Sequence, residues 1–418
     1  MSLTALFLPC ASGVESLLAD EARRITGAPV DSARGGVWVD GDERTAMQLN
    51  LDSRLAQRVL WPLVDGPYRD EHELYALARR VPWQHWITPE QTLRVEVSAQ
   101  RSPLTSLNFA ALRIKDAVCD SLRESAGARP SVDTRRPDLP LFLFVGPEHA
   151  TLYADTSGDA LFKRGWREDT GEAPLKETLA AAMLAAAGWQ GRAEDGPLLD
   201  PCCGAGTIAI EAAQLACGIA PGALRHFAFE RMLPFRPHLP AWRELQRAAR
   251  ERVHAPVVSV YAGDVSFRMT DFATRNAERA GVLGAGMKAI EFKTADALQR
   301  LPPAATGTLM LNPPYGERIA PKGSRGGATA APAGMAREAF EGGGSPAEFF
   351  NALAAHWKRH YSGWTAWLLS PEMKLAGLMR MKESRRVPMW NGPIECRLYR
   401  FDIVAGAGPG ARARPAAE

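Results

Sequence analysis

Two stretches of this chain carry residue types that could do chemistry together. In Leu198 to Ala213, LLDPCCGAGTIAIEAA, an apolar run ends in Asp200 and Pro201, turns through Gly204 and Gly206, and enters a run of helix formers. Glycine has no Cβ and takes positive φ, so backbone can approach a ligand closely, and the unpaired N–H groups of the following helix face whatever sits there. In Leu311 to Tyr315, LNPPY, a second apolar run ends in Asn312, Pro313, Pro314 and Tyr315. The two prolines remove N–H donors after a buried strand and leave carbonyl oxygens as acceptors. With the Asn312 side-chain oxygen they form a row of acceptors, and Tyr315 adds an aromatic face. Such a set grips an exocyclic amine on a planar base.

What the glycine turn holds follows from its neighbours. Gly204, Gly206 and Ala209 also satisfy the general dinucleotide fingerprint. There, the acid that grips the ribose follows the glycines by about twenty residues. Here the next strand end with an acid is Asp264, 58 positions after Gly206. Asp200 would repel a pyrophosphate and suits a cation. S-adenosylmethionine carries a sulfonium and an ammonium beside an adenosine. Acids at successive strand ends, Asp200, Asp264 and Asp296, suit its methionine end, ribose hydroxyls and adenine amine in turn. Each aspartate alone could equally be a helix cap or a surface charge, just as NPPY alone could be a rigid turn. Together they describe methyl transfer. Acceptors on an aromatic amine draw it toward tetrahedral geometry, and its lone pair attacks a methyl held in line on sulfur. That chemistry needs neither a metal nor a covalent nucleophile.

The elements that must position these residues follow from patterning. At 418 residues the chain is long enough for two or three cores. Residues 1 to 65 read as a small α+β unit: strand LTALFL, helix Gly13 to Thr26 closed by Gly27, strand GVWVD and a helix over Glu43 to Leu60. A second α+β unit runs from 66 to 157, with a helix around Arg69 to Arg80, a strand at Thr92 to Ala99, a helix at Asn108 to Arg123, and strands at Leu141 to Val145 and Thr151 to Asp155. Thr156 to Thr170 reads as a polar connector. An Ala-rich helix over Glu172 to Gly188 follows, and from Pro197 onward strands alternate with helices, which predicts a parallel, doubly wound α/β sheet over 158 to 405. Ligands on such sheets bind at the carboxyl ends of the strands. Ala320 to Pro346, rich in Gly, Ala and Pro, reads as a mobile loop, and 406 to 418 as a disordered tail.

Charged residues are 23% and hydrophobic ones 46%, a globular balance, and the net charge of +3 neither demands nor excludes nucleic acid. Two tracts are locally basic: Arg101 to Arg136 has seven Lys/Arg against four Asp/Glu, and Trp357 to Arg386 seven against two. Either is a solvated face or an RNA contact, with Arg113, Lys115, Arg135, Arg136, Arg385 and Arg386 as candidates for the latter. Trp83, Trp86 and Phe109 could stack bases or plug the core. The six cysteines are scattered, with no zinc spacing, which fits a reduced, cytoplasmic chain without a structural metal. Leu3 to Leu8 reads as a first strand rather than a signal peptide, and the longest apolar candidate, Leu179 to Trp189, falls short of the roughly 18 residues a membrane span needs.

With these motifs in place, nearly the whole chain resembles the class I S-adenosylmethionine-dependent RNA methyltransferases carrying a THUMP domain, and within them the bacterial 23S rRNA guanine-N2 enzymes. LYADTSGDALFKRGWREDTGEAPLKETLAAAML looks like the junction into the catalytic domain, DPCCGAGTIAIEAA like the cofactor loop, NPPYGERI like the target-amine motif, and NGPIECRLYRFDI like the closing hairpin. The resemblance implies a ferredoxin-like domain, a THUMP domain that engages structured RNA, and a Rossmann-like domain ending in an antiparallel strand. It implies that Asp200, Pro201, Gly204 and Gly206 line the methionine end of the cofactor, Asp264 the ribose and Asp296 the adenine, with Pro174, Glu177 and Thr178 beside it. Asn312 and the Pro313 carbonyl would hold the guanine amine, followed by Pro314, with Tyr315 stacked on the base; the product would be S-adenosylhomocysteine. DFATRNAERAG, Asp271 to Gly281, looks like the helix that follows the ribose acid. The partner would be 23S rRNA or a large-subunit assembly intermediate, with no membrane. The second methyltransferase domain of the longest family members is absent, which predicts one modification, and the insertion after Ile319 is longer than the family pattern. A tRNA guanine methyltransferase, a DNA adenine-N6 methyltransferase and a non-catalytic RNA-binding assembly factor are the alternatives.

Overall fold

A computed structural model describes residues 3–171, 174–313 and 346–404 of the chain. It divides into two compact units: Met1–Gly165 with Ile219–Val253, and Trp166–Gly218 with His254–Glu418.

The first unit is built on one mixed sheet of eight strands: β1 (Thr4–Pro9), β2 (Val30–Ala33), β3 (Gly36–Gly41), β4 (Leu60–Pro67), β5 (Thr92–Ala99), β6 (Ser131–Val132), β7 (Leu139–Val145) and β8 (His149–Asp155). Their order is β2-β3-β1-β4-β8-β7-β5-β6. In β1, Leu6 and Leu8 point one way into the core, the alternation a half-buried strand requires. The two expected α+β units share this sheet, because β4 pairs antiparallel with β8 from Leu60 opposite Asp155 to Pro67 opposite His149. Helices α1 (Glu15–Thr26), α2 (Glu43–Asp52), α3 (Glu71–Ala78) and α4 (Leu107–Ala126) complete it.

Here α2 corrects the sequence reading. The helix expected over Glu43 to Leu60 stops at Asp52. The next residues serve a buried acid: Glu21 accepts from Ser53 Oγ at 2.7 Å, Arg54 N at 3.0 Å and Leu55 N at 3.2 Å. Three hydrogen bonds to a buried carboxylate outweigh continued helical pairing. The connector after β8 is likewise more than polar linkage. Thr156 and Ser157 are fully buried and bind both ends of the Asn50 amide at 2.8 and 2.6 Å. Trp83 is core, its indole N–H donating to the Ala78 carbonyl at 2.9 Å, whereas Phe109 is exposed and Trp86 half-buried.

Residues Ile219–Val253 fold into this first unit although the methyltransferase-like pattern surrounds them in sequence. Their core is aromatic: Phe227 stacks on Phe229 with centroids 5.4 Å apart, both meet Trp242 edge-on, and Phe235 meets Trp61 at 5.6 Å. Helix α7 (Leu239–Glu251) closes the segment.

The second unit carries a seven-stranded sheet: β9 (Leu198–Asp200), β10 (Val260–Asp264), β13 (Ile290–Thr294), β14 (Gly307–Leu311), β15 (Trp364–Ser370), β16 (Arg385–Asn391) and β17 (Ile394–Asp402), with a two-residue hairpin of β11 (Leu283–Gly284) and β12 (Met287–Lys288) to one side. The order is β13-β10-β9-β14-β15-β17-β16. Strands β13 to β15 are parallel as the βα alternation predicts, and β17 is antiparallel to β15. The chain moves outward from β9 through β10 to β13, then returns to the other side of β9 as β14. The strand order therefore reverses between β9 and β14, which is where open α/β sheets bind ligands. Around the sheet lie α5 (Glu177–Ala187), α6 (Thr207–Ala216), α8 (Phe267–Arg279), α9 (Pro346–His360) and α10 (Leu375–Met379). Phe350, Leu353, Ala354 and Trp357 of α9 recur at helical spacing and pack with Leu309 and Leu311 of β14. Helix α5 begins at Glu177, five residues later than expected; Glu172 and Ala173 lie outside the described residues, as do the expected loop after Ile319 up to residue 345, and the tail.

Candidate functional site

The acid–glycine turn sits at the carboxyl end of β9. Asp200 is 1% exposed. One of its oxygens accepts from Cys202 N at 3.2 Å; the other, Oδ2, is buried without a hydrogen-bond partner. Burial holds this carboxyl well above the usual carboxylate range, and the charge of Asp264 pushes in the same direction. The turn is pinned to the next strand: Asp264 takes Gly204 N–H at 3.0 Å and Ser266 N–H at 3.0 Å, and Cys203 N donates to the Gly263 carbonyl at 2.8 Å. Gly204 has φ +51 and open space where a Cβ would point, while Gly206 has φ +89 and a Cβ there would meet Ala273 Cβ at 3.0 Å. The first glycine leaves room, and the second lets α6 and α8 approach.

The sheet register brings the other residues to the same edge. Asp264 ends β10 opposite Thr294, the last residue of β13, and Asp296 follows two positions later, its carboxylate capping Leu298 N at 2.8 Å. The charges of Asp200, Asp264 and Asp296 all bear on the Cys202 thiol, adding to burial in pushing it far above the ordinary thiol range. Neither Cys202 nor Cys203 is thereby a ready nucleophile. On the other side of β9, Leu309 of β14 lies opposite Leu199, so Asn312 stands three residues beyond the pair as Cys202 does. Asn312 is half-buried and Pro313 buried; Pro314 and Tyr315 lie outside the described residues. Pro201 is buried, Pro174 exposed, and Glu177 and Thr178 are buried at the start of α5.

Two residues that the motifs did not flag lock this edge. Arg167 donates from Nε to Glu177 Oε1 at 2.7 Å and from Nη2 to Thr207 Oγ1 at 2.7 Å and Leu175 O at 3.3 Å, joining the start of α5 to the start of α6. Asn276, fully buried on α8, donates to the carbonyls of Ala205 at 3.1 Å and Asp169 at 2.9 Å. Its signal was its place on the buried stripe of DFATRNAERAG.

The basic candidates fare unequally. Arg113 and Lys115 both lie against Asp116, at 3.4 and 2.7 Å, and Arg113 also stacks over Tyr75 at 4.7 Å. Arg386 pairs with Glu383 and stacks over Tyr399, and Arg385 reaches the Ala186 carbonyl at 3.3 Å. Arg135 and Arg136 are exposed on a turn whose backbone N–H groups are capped by Asp133 at 2.7 and 3.1 Å. No helix among the described residues is long and apolar enough to cross a membrane.

Comparison with known proteins agrees with this architecture. An RlmL ferredoxin-like domain matches residues 5–60, a THUMP domain residues 68–155, and an RMKL-like methyltransferase domain residues 164–344. The chain thus carries a ferredoxin-like domain, a THUMP domain and a class I methyltransferase domain. More particularly, it is 37% identical over 407 residues to the ribosomal RNA large subunit methyltransferase K/L of Syntrophotalea carbinolica, covering 95% of this chain and 53% of that one. The protein of the same name from Psychromonas ingrahamii is 34% identical over 409 residues, covering 96% and 50%. The chain thus spans about half the length of the curated relatives it matches. Among solved structures, a possible methylase from Clostridium difficile 630 superposes with a TM-score of 0.80 at 26% identity, covering 98% of this chain and all of that one.

The residues present fit S-adenosylmethionine, the cofactor of class I methyltransferase domains. A buried carboxylate oxygen lacking a donor suits an ammonium, and an unfilled space over Gly204 admits a ligand against backbone.

Proposed function

We propose that the protein transfers a methyl group from S-adenosylmethionine to the exocyclic N2 amine of a guanine in 23S rRNA, leaving S-adenosylhomocysteine. One observation carries the reading: the acid–glycine turn after β9 and Asn312 after β14 flank the point where the strand order reverses. The donor's seat and the amine's acceptors thus share one crevice. S-adenosylmethionine, when bound, supplies an electrophilic methyl on sulfur. Asp200 holds its ammonium, Gly204 and Gly206 admit its methionine end beside Pro201, Asp264 takes the ribose hydroxyls and Asp296 the adenine amine, with Pro174, Glu177 and Thr178 alongside. Asn312 Oδ1 and the Pro313 carbonyl accept the two N–H bonds of the target amine, Pro314 withholds a competing donor, and Tyr315 stacks on the base. Held by these residues, the cofactor would present its methyl in line with the amine's lone pair, while Asn312 Oδ1 and the Pro313 carbonyl would keep the two N–H bonds oriented and one amine proton would leave to solvent. Positioning and fixed acceptors supply the rate.

RNA as substrate is supported by the THUMP domain and by the relatives' names; a guanine amine is supported by the resemblance of NPPYGERI to the guanine-N2 enzymes. A base in a duplex is out of reach, so the target is flipped out or already in a loop. The experiment incubates the protein and an Asn312→Ala variant with radiolabelled cofactor and undermodified rRNA, tRNA or DNA, then identifies the labelled nucleoside after digestion. N2-methylguanosine from 23S rRNA, lost in the variant, is the expected result. Label in tRNA guanine or DNA adenine reassigns the substrate, equal labelling by the variant removes Asn312 from its role, and no label in any nucleic acid favours a non-catalytic assembly factor.

A further inference from the structure

Two buried polar atoms of opposite character bracket the glycine turn without partners. Asp200 Oδ2, on the residue that enters the turn, accepts no hydrogen bond, and Arg167 Nη1, on the guanidinium bonded to the residue that leaves it, donates none. The rest of Arg167 is fully engaged: Nε on Glu177, Nη2 on Thr207 Oγ1 and Leu175 O, and the guanidinium plane over the Trp166 ring at 5.0 Å. Its side chain is 16% exposed and held in place from two helices. A buried guanidinium N–H without an acceptor costs free energy, as does a buried carboxylate oxygen without a donor.

We propose that Arg167 is a ligand-binding residue, its Nη1 N–H receiving the α-carboxylate of the cofactor's methionine end while Asp200 Oδ2 receives the ammonium. An α-amino acid is the one common ligand group that presents a carboxylate and an ammonium on a single carbon, and it offers each of the two orphaned atoms a partner of the opposite character. Glu177 then acts through Arg167: by fixing Nε it aims Nη1. Thr207, first residue of α6, couples that aim to the glycine turn itself. The inference rests on the cofactor reading above and goes beyond it by assigning the carboxylate, which the sequence motifs leave without a partner.

The test measures binding to the full chain by titration calorimetry, using S-adenosylhomocysteine and S-adenosyl-3-thiopropylamine, the same molecule without its carboxylate. A charge-assisted hydrogen bond is worth about tenfold or more in affinity. The unaltered protein should therefore prefer S-adenosylhomocysteine by at least about tenfold. Arg167→Met should erase that preference, lowering affinity for S-adenosylhomocysteine while leaving the decarboxylated ligand unchanged, and Arg167→Lys should restore part of it. Equal binding of the two ligands by the unaltered protein overturns the proposal without any variant. Parallel loss of both ligands in Arg167→Met also overturns it, because that is what a purely structural role at Thr207 would produce. Failure of the unaltered protein to bind either ligand instead overturns the cofactor reading on which this one stands.

Discussion

The two glycines of the cofactor turn should respond differently to the same small change. Placing alanine at Gly206, φ +89, forces an L-residue into left-handed backbone and sets its Cβ 3.0 Å from Ala273 Cβ and 3.3 Å from Ala273 Cα. The left-handed conformation costs about 1–2 kcal/mol. Because Ala273 Cβ cannot swing away from α8, that helix must give by a few tenths of an ångström, adding up to about 1–3 kcal/mol of overpacking. At Gly204, φ +51, a Cβ meets nothing within 4 Å, so only the conformational cost applies. Gly206→Ala should therefore be less stable than Gly204→Ala by about 1–3 kcal/mol in urea unfolding. The order inverts for binding: the Gly204→Ala methyl enters the open space assigned to ligand and should weaken S-adenosylhomocysteine by about tenfold, a modest steric penalty. Gly281→Ala, with φ +73 and open space around it, is the control that carries the conformational cost alone. Equal destabilisation at 204 and 206 would refute the packing argument, and unchanged affinity in Gly204→Ala would refute the placement of the ligand.

Further outcomes follow from the same geometry. Burial and Asp264 hold Asp200 protonated above the usual carboxylate range, so a ligand ammonium, which favours the ionised form, should release a proton on binding. Affinity should then fall as pH drops through that raised pKa, and calorimetry in buffers of different ionisation enthalpy should detect the proton in the unaltered protein and not in Asp200→Asn. Without ligand the sign reverses: the contribution of Asp200 to stability is fully present below the ordinary carboxylate pKa of the unfolded chain and is lost as pH rises from there through its raised folded-state pKa. Arg58 pairs with Asp155, which is 1% exposed, and holds Glu96 at 2.8 Å. Arg58→Met should cost about 3–5 kcal/mol in denaturant unfolding by leaving a buried carboxylate unpaired, and Asp155→Asn in the same chain should recover part of it. If the THUMP side contacts phosphates, Arg135→Ala and Arg136→Ala should each lower the slope of log affinity against log salt by about 1, whereas Arg113→Ala, already matched by Asp116, should change it less.

Much of this was legible in residues whose consequence is local. Strand β5 falls where alternation put it, Gly27 and Gly188 end their helices in left-handed conformation, and the Asp200 and Asp264 strand ends emerge where acids follow apolar runs. What stayed hidden depends on partners far away in sequence. Nothing in ERTAMQLNLD says the helix must stop before Ser53, because the reason is Glu21 on another helix. Arg167 read as one charge in a polar connector; its role needs Thr207 40 positions on. The long interval between Gly206 and Asp264, which argued against a dinucleotide site, has a physical source: Ile219–Val253 leaves the second unit and buries Phe227, Phe229 and Phe235 in the first.

That excursion also bears on how the chain matures. The first unit lacks its last aromatic layer until Val253 has been synthesised, by which time β9, the glycine turn and α6 are already made. At about 5–20 residues per second, the nascent amino-terminal sheet waits several seconds for the segment that seals Trp61 against Phe235. Order of emergence and order of completion therefore differ along this polypeptide. Strand β10, whose Asp264 pins the Gly204 turn, is synthesised only after Val253, so the segments of the two units are made as interleaved rather than successive stretches.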